Sequence, residues 1–441
     1  MTDTRMPRGG PAPARGRNFI VALLALFTAG AAVSMRAVTA VHMQHDFLDP
    51  IDPVHAGEML GTVLGAAFAS FALTLFLVSP VLAAIGFRRA FIAAAGFLIA
   101  GFAMVAGAGS FGQVYAVLLA GMVIQGIGWG LVETTINPLA SALYPQDRVA
   151  HLSTLHAWYP AGLVVGSLVG LGVDGAGLDW RWTIVPVGLF VIVFAVMAGR
   201  DQFPPVSAST DAPVSPREMI AATLQNPTIF FWVVLMMFTA STEFAPGQWV
   251  DVALSQIVGM RGILLLAYVS ALMFVMRHFA GPLVRRLGNV GLLMFSAVLA
   301  TIGLFALGSA DSPVTALVAA TAWGFGVCYF WPTMLATVAE RYPRSGTVVF
   351  GLMGSAGAAS TYVVLPWLGA VYDKARLAAA GGDPAALASA QGEQLRHILT
   401  AAAAASFRTV ALIPLVLIFV FAGVAIADRL RRRNGQSRGA A

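Results

Sequence analysis

The sequence predicts an all-α integral membrane protein with twelve transmembrane helices in two pseudo-symmetric six-helix bundles. Three observations carry that expectation. Of its 441 residues, 58% are hydrophobic and 10% charged, with a mean hydropathy of +0.81, whereas a soluble domain carries about 25% charged residues. The apolar residues fall in long runs rather than amphipathic stripes, and no soluble core of this length could hide them. A weak internal repeat also relates the two halves of the chain.

A spanning helix needs roughly 20 apolar residues. Runs of about that length occur at 19–41, 58–78, 90–108, 114–138, 154–173, 182–198, 229–250, 262–283, 291–309, 314–338, 347–371 and 401–427. Lipid-facing backbone has to satisfy its own hydrogen bonds, so these runs are expected as helices. The alternation that would mark an outer-membrane barrel is absent. Residues 1–18 are rich in Arg, Pro and Gly. The run after them is too long for the apolar stretch of a cleaved leader and is followed by eleven like it, so it reads as a retained first helix.

The longest polar interruption after the sixth run extends from Arg200 to Pro227 and holds Pro204, Pro205, Pro213 and Pro216 with Ser and Thr, the composition of a flexible connector. The expected organisation is a tail at 1–18, a first bundle at 19–199, a linker at 200–227, a second bundle at 228–428 and a basic tail at 429–441. A further interruption, Asp373 to about Thr400, is Ala- and Gly-rich, and part of it reads as an outward extension of helix 12. Pro246-Gly247 is expected to break helix 7.

Loop charge sets the orientation. With the N-terminus cytoplasmic, eighteen of the 26 Lys and Arg residues lie on the cytoplasmic side and six on the other, while Arg36 and Arg277 lie inside helices. Both termini are therefore expected in the cytoplasm, with the chain in the inner membrane. The net charge of +6 gathers at the ends and in loops, with no basic face interleaved with aromatics, which argues against nucleic acid. The single cysteine, Cys328, permits no disulfide within the chain and reads as a packed hydrophobe. There is no Gly-Lys-Ser/Thr phosphate cradle, no metal-ligand spacing and no evident nucleophile–base pair, so neither a cofactor, a metal nor an enzymatic activity is expected.

The loop after helix 2 reads Ser79-Pro-Val-Leu-Ala-Ala-Ile-Gly-Phe-Arg-Arg89, and that after helix 8 reads Gly281-Pro-Leu-Val-Arg-Arg-Leu-Gly288. Helix 4 carries Gly128-Trp-Gly130, Asn137-Pro138 and a terminal Tyr144-Pro145. Helix 10 carries Gly324-Phe-Gly326, Trp331-Pro332 and a terminal Tyr342-Pro343. Repeats of this kind place a binding site at their interface near mid-membrane. Together with the six-plus-six arrangement, these loops resemble the Gly-x-Leu-x-x-Arg-x-Gly-like turns of the major facilitator superfamily, which implies the major facilitator fold. The acidic residue usual in that turn is Ala83 in the first copy and Arg285 in the second.

A closer likeness lies in helices 4 and 5. Gly128-Trp-Gly-Leu-Val-Glu133-Thr-Thr-Ile-Asn137-Pro138, followed by Leu155-His-Ala-Trp-Tyr-Pro160-Ala-Gly162, is similar to the fucose/galactose/glucose–proton symporter family, which has Gly-x-Gly-x-x-Glu-x-x-x-Asn-Pro there. The resemblance implies a sugar substrate and makes Glu133 a proton- or substrate-linked carboxylate. That family also has a carboxylate in helix 1, where this chain has Arg36.

The residues themselves supply the candidate site. Ionisable groups inside spans cost several kcal/mol unless paired or wetted, so each is a functional candidate. Trp129, Glu133 and Asn137 sit four residues apart and share a helix face, a ring, a carboxylate and an amide that suit a sugar; a structural hydrogen bond is the competing reading. Glu243 lies mid-helix before Gln248 and Trp249, and faces either a cavity or an arginine. Asp251, nearer the helix end, reads as a solvated rim. Arg36 has three destinations: snorkelling outward, pairing with Glu133 or Glu243, or binding an anionic substrate. Arg277, beside His278, reads as reaching the cytoplasmic interface. His156 is a candidate proton carrier or a structural histidine, next to Trp158 and Tyr159. Tyr329 and Trp331 are either packing or a sugar platform. Gly162, Gly166 and Gly170 form a small-residue face for close helix packing.

The expected activity is secondary active transport, by alternating access, of a small polar solute, foremost a sugar or sugar derivative, coupled to protons or another ion. The chain is expected to work as a monomer in a lipid bilayer. The alternatives are an organic-anion transporter centred on Arg36 and, from a different class, a membrane enzyme or a non-transporting receptor.

Overall fold

Apolar runs of the expected length fold as helices, and no strand occurs among the described residues. The computed structural model describes residues 12–144, 148–206, 216–255, 259–277, 279–342 and 345–438. The first six long helices are α1 (Ala12–Met43), α2 (Ala56–Val78), α3 (Phe87–Ala106), α4 (Val114–Leu143), α5 (Arg148–Gly175) and α6 (Ile184–Arg200). The last six are α7 (Pro227–Leu254), α8 (Ile263–Arg277), α9 (Ala280–Leu307), α10 (Pro313–Val338), α11 (Gly346–Ala379) and α12 (Gly392–Arg438). Among the described residues ten helices are long and apolar enough to cross a membrane; the shorter apolar α8 and the long α11 complete the expected twelve. Exposed apolar side chains cover the flanks, as at Val185, Leu189, Ile192 and Val196 on α6 and at Leu412, Val416 and Phe419 on α12. Such a surface is stable only against lipid.

Within the first bundle α1 packs on α5, and α4 on α2 and α3. Within the second, α9 packs on α10 and α12, and α11 on α7 and α12. The bundles meet where α2 packs along α11, α5 against α8, and α1 against α7. The small-residue face of α5 lies against α1. A Cβ added at Gly162 would stand 2.0 Å from the Phe27 carbonyl oxygen, and one at Gly166 would stand 2.2 Å from Ser34 Oγ. The two repeat loops also agree in backbone. Each ends on a glycine in a conformation other residues rarely reach, Gly86 at φ 81° and ψ 152° and Gly288 at φ 70° and ψ 168°.

Several spans differ from their expected form. Helix 8 stops at Arg277, short of 283, because the chain turns at Phe279 and re-enters a helix that closes at Gly288. The expected continuous tenth run is broken at Cys328–Tyr329. Helix 7 continues through Pro246. The proline removes the donor for the carbonyl four residues back, at Thr242, and Trp323 Nε1 donates to that oxygen instead at 3.2 Å. α11 runs on to Ala379, a short helix spans Pro384–Ser389, and α12 begins at Gly392, so the expected outer extension of helix 12 is shared with helix 11. Of the connector, 207–215 lie outside the described residues, as do Pro145, His278 and Pro343.

Closing the α1–α5 contact requires glycine. Gly162→Ala is expected to push the helices apart and cost about 1–3 kcal/mol of stability, read as a lowered Tm of the purified protein. Gly172→Ala on the same helix has open space around its Cβ and should leave Tm unchanged or raise it. Equal effects at the two positions would remove α5's small-residue face from the account of packing.

Candidate functional site

α5, α7, α8 and α10 line a narrow cavity where the two bundles meet, with Tyr159, Glu243, Gln248, Ser270 and Trp323 among apolar side chains. Buried polar atoms are nearly always hydrogen-bonded. Here Tyr159 Oη, Glu243 Oε2, Gln248 Oε1 and Ser270 Oγ are buried with no partner among the described residues. Gln248 is held from its other end, where Nε2 donates to the Val33 carbonyl of α1 at 3.3 Å across the bundle boundary. The four atoms come from three helices and mix donors with acceptors, which suits a ligand carrying several hydroxyls.

Each intramembrane carboxylate has its own support. Arg277 Nη2 lies 3.5 Å from Glu243 Oε1, and its Nε donates to the Cys328 carbonyl at 3.3 Å. That carbonyl lies at the break in α10, while Tyr329 Oη donates back to the Met276 carbonyl at 3.3 Å. The break in α10 is thereby clamped to the end of α8, and Glu243 is tied to the clamp. Asn137 lies one turn on from Glu133, on the same helix face and within reach of its carboxyl, and Asn137 Oδ1 lies 2.9 Å from His156 Nε2 on α5. The result is a chain of carboxyl, amide and imidazole joining α4 to α5. Trp129, on the same face of α4, stacks on Phe71 (4.1 Å, 24°) and lies parallel to Tyr159 (6.5 Å, 9°).

Arg36 neither snorkels nor pairs with Glu133 or Glu243. It is 1% exposed, and no carboxylate among the described residues forms an ion pair with it. Its guanidinium lies over Trp129 at 5.4 Å and Phe68 at 5.9 Å, where ring faces replace part of the lost hydration. Arg277 turns inward to Glu243 instead of reaching the interface. Trp249 is fully buried against Tyr372, edge to face at 5.7 Å, away from the cavity. Trp331 packs on Phe244 at 5.6 Å. Asp251 forms no solvated rim. It is 0% exposed and accepts from Arg261 Nη2 at 2.7 Å. Reasoning from ionisable groups passes over Gln125, Ser270 and Trp323; their one signal in the sequence is a polar atom inside an apolar run.

The bundles are locked together on the side away from the chain ends. Arg261 of the second bundle pairs with Asp174 at the end of α5 as well as with Asp251. Asp373 of α11 accepts from the first backbone N–H groups of α2, Gly57 at 3.1 Å and Glu58 at 2.8 Å, where the helix dipole favours negative charge. On the opposite side the described ion pairs stay within a bundle, Arg17 with Asp201 and Arg341 with Asp428.

A sequence model of the Major Facilitator Superfamily matches residues 22–365. A chloramphenicol efflux pump of Mycobacterium tuberculosis is 27% identical over 258 residues, 56% of this chain and 60% of the pump. The chain thus spans less than two thirds of the length of that curated relative. Among solved structures, that of a D-xylose–proton symporter superposes with a TM-score of 0.71 at 16% identity, covering 90% of this chain and 97% of the symporter. That of a bacterial homologue of the human lysosomal transporter Spinster superposes at 0.69 with 18% identity, covering 94% and 96%. At these identities the structural likeness shows the fold.

Burial pushes the Asp373 carboxyl up to about 6, against the pull of the Glu58 N–H and Arg376. When the lock opens and water reaches the carboxyl, it returns toward its ordinary 3.8. Protons therefore bind the locked state more tightly, and lowering the pH from 7 to 5 should favour locking by up to about tenfold. The check is the rate at which an impermeant thiol reagent modifies a cysteine placed at Leu60, a buried position on α2. Relative to Asp373→Asn at each pH, modification should slow at pH 5; identical pH profiles would exclude this role.

Proposed function

Since the chain belongs to the Major Facilitator Superfamily, we propose that it is a secondary transporter moving a hydroxyl-rich solute, a sugar or sugar derivative, in symport with protons. The observation that carries this is the group of four buried, partnerless polar atoms lining one cavity between the bundles. A buried polar atom without a hydrogen bond costs about 1–3 kcal/mol, and a polyhydroxylated ligand satisfies donors and acceptors together. The likeness of helices 4 and 5 to the fucose/galactose/glucose–proton symporter family supports the sugar class.

Transport then follows from the interface between bundles. Among the described residues, the polar contacts that cross it include the Asp373 cap on α2, the Arg261 bridge to Asp174 and the Gln248 bond to Val33. Breaking the first two while new contacts form on the opposite face exposes the cavity to alternate sides of the bilayer. Glu133 takes up and releases the proton, and Asn137 and His156 hold it in register with α5. Glu243 stays tied to Arg277 and orients the solute through its free oxygen. The bias of basic residues supports a topology with both chain ends in the cytoplasm, and the chain works as a monomer in the inner membrane.

Glu133→Gln keeps the shape and the hydrogen-bonding capacity toward Asn137 but cannot give up a proton. In proteoliposomes the variant should lose accumulation driven by an inward proton gradient, at least a tenfold fall. Exchange of labelled for unlabelled solute should continue at a comparable rate. Gradient-driven accumulation that survives in Glu133→Gln would assign coupling elsewhere.

A further inference from the structure

A second, much smaller cavity, with room for about one water molecule, lies within the first bundle. Arg36 and Gln125 line it, with Thr39, Trp180, Phe102 and Met122 among the other walls. Both Arg36 and Gln125 are 1% exposed. Arg36 Nε and Nη2 and Gln125 Oε1 are buried with no hydrogen-bond partner among the described residues. The two cavities are linked through ring contacts. The Arg36 guanidinium lies over Trp129, and Trp129 lies parallel to Tyr159, which lines the central cavity.

The carboxylates of the core are committed elsewhere. Glu243 faces Arg277, and Asp174 and Asp251 hold Arg261. No acidic side chain lines the cavity around Arg36. A buried cation without a counter-charge is strongly disfavoured, and two ring faces offset only part of that. A guanidinium fork with free N–H groups is shaped for a planar oxyanion, which it binds in two parallel hydrogen bonds. One cation in an otherwise neutral pocket matches one negative charge; a phosphate dianion would call for a second. The side-chain amide of Gln125 presents a hydrogen-bonding group beside that charge, matched to a hydroxyl next to a carboxylate.

We propose that Arg36 and Gln125 form a carboxylate subsite, so that the transported solute is a sugar acid rather than a neutral sugar. The central cavity takes the hydroxyl-bearing chain and Arg36 takes the carboxylate. This rests on the sugar reading of the central site and narrows it.

The test uses the full-length purified protein, with calorimetric binding of D-galactose and D-glucose, their acids D-galacturonate and D-gluconate, and the non-sugar carboxylates lactate and malate. The expected result is at least tenfold tighter binding of each sugar acid than of its parent sugar. That preference should fall below twofold in Arg36→Gln, and Gln125→Leu should weaken acid binding severalfold. Should Arg36→Gln fail to fold, Gln125→Glu serves instead. It supplies a fixed carboxylate beside Arg36, and should preserve Tm while abolishing the acid preference. Equal binding of neutral sugar and acid by the unaltered protein overturns the subsite and leaves the sugar reading standing. Binding of lactate or malate that depends on Arg36, with no sugar or sugar acid bound, keeps the subsite and overturns the sugar reading. An acid preference that survives both Arg36→Gln and Gln125→Glu, or no response to any carboxylate, overturns the proposal.

Discussion

A polar group buried among lipid-embedded helices has to find its partner within the protein or in what the protein carries. That constraint arranges most of this structure. Pro246 frees the Thr242 carbonyl, and the indole of Trp323 on another helix takes it up. The break in α10 frees the Cys328 carbonyl, and Arg277 covers it. These repairs hold α7, α8 and α10 in one fixed relation, and the walls of the central cavity are built from the same three helices and α5. Against that background, the polar atoms left without partners stand out as a group. Four of them, on Tyr159, Glu243, Gln248 and Ser270, line the cavity where the two bundles meet.

The architecture was legible in the sequence because hydropathy acts residue by residue. Run length set the number of helices, and the small-residue stripe at Gly162, Gly166 and Gly170 announced a close approach before its partner was known. The weak repeat was legible too, since Gly86 and Gly288 hold the same left-handed turn that only glycine enters freely. What the residues could not convey was rotation about each helix axis relative to the neighbours. Trp249 follows directly on Gln248, yet only Gln248 reaches the cavity, while Trp249 packs on Tyr372. The rule that proline breaks a helix is sound for an isolated helix. It failed at Pro246 because the compensating donor came from 77 positions further along the chain, at Trp323.

The candidate site shows the same division. Glu133 and Glu243 announced themselves as charges in apolar runs, and both are inside the protein. Their roles depend on contacts made across helices, Asn137 with His156 and Glu243 with Arg277, and sequence spacing carries no information about those. Gln125 and Ser270 were passed over because an uncharged polar residue in a spanning helix usually bonds back to its own backbone, as Thr134 and Thr135 do here. What distinguishes Gln125 and Ser270 is the absence of such a bond, and that is visible only in three dimensions.

The loops between helices 2 and 3 and between helices 8 and 9 keep their turning glycines but lack the usual acid, with Ala83 and Arg285 in its place. On the face bearing the chain ends, the described ion pairs accordingly stay within one bundle. The polar bonds between bundles lie on the other face, where Asp373 caps α2 and Arg261 reaches Asp174. A cap made by a carboxylate on backbone N–H groups differs from a salt bridge in one respect that matters for a moving interface. Opening it leaves one charge to be hydrated instead of two, and exposes N–H groups that water satisfies at little cost. The lock is therefore firm when dry and cheap to break once wetted. In the proposed transport cycle a state that must form and dissolve needs that balance, and the α2–α11 contact is where the two bundles touch most extensively.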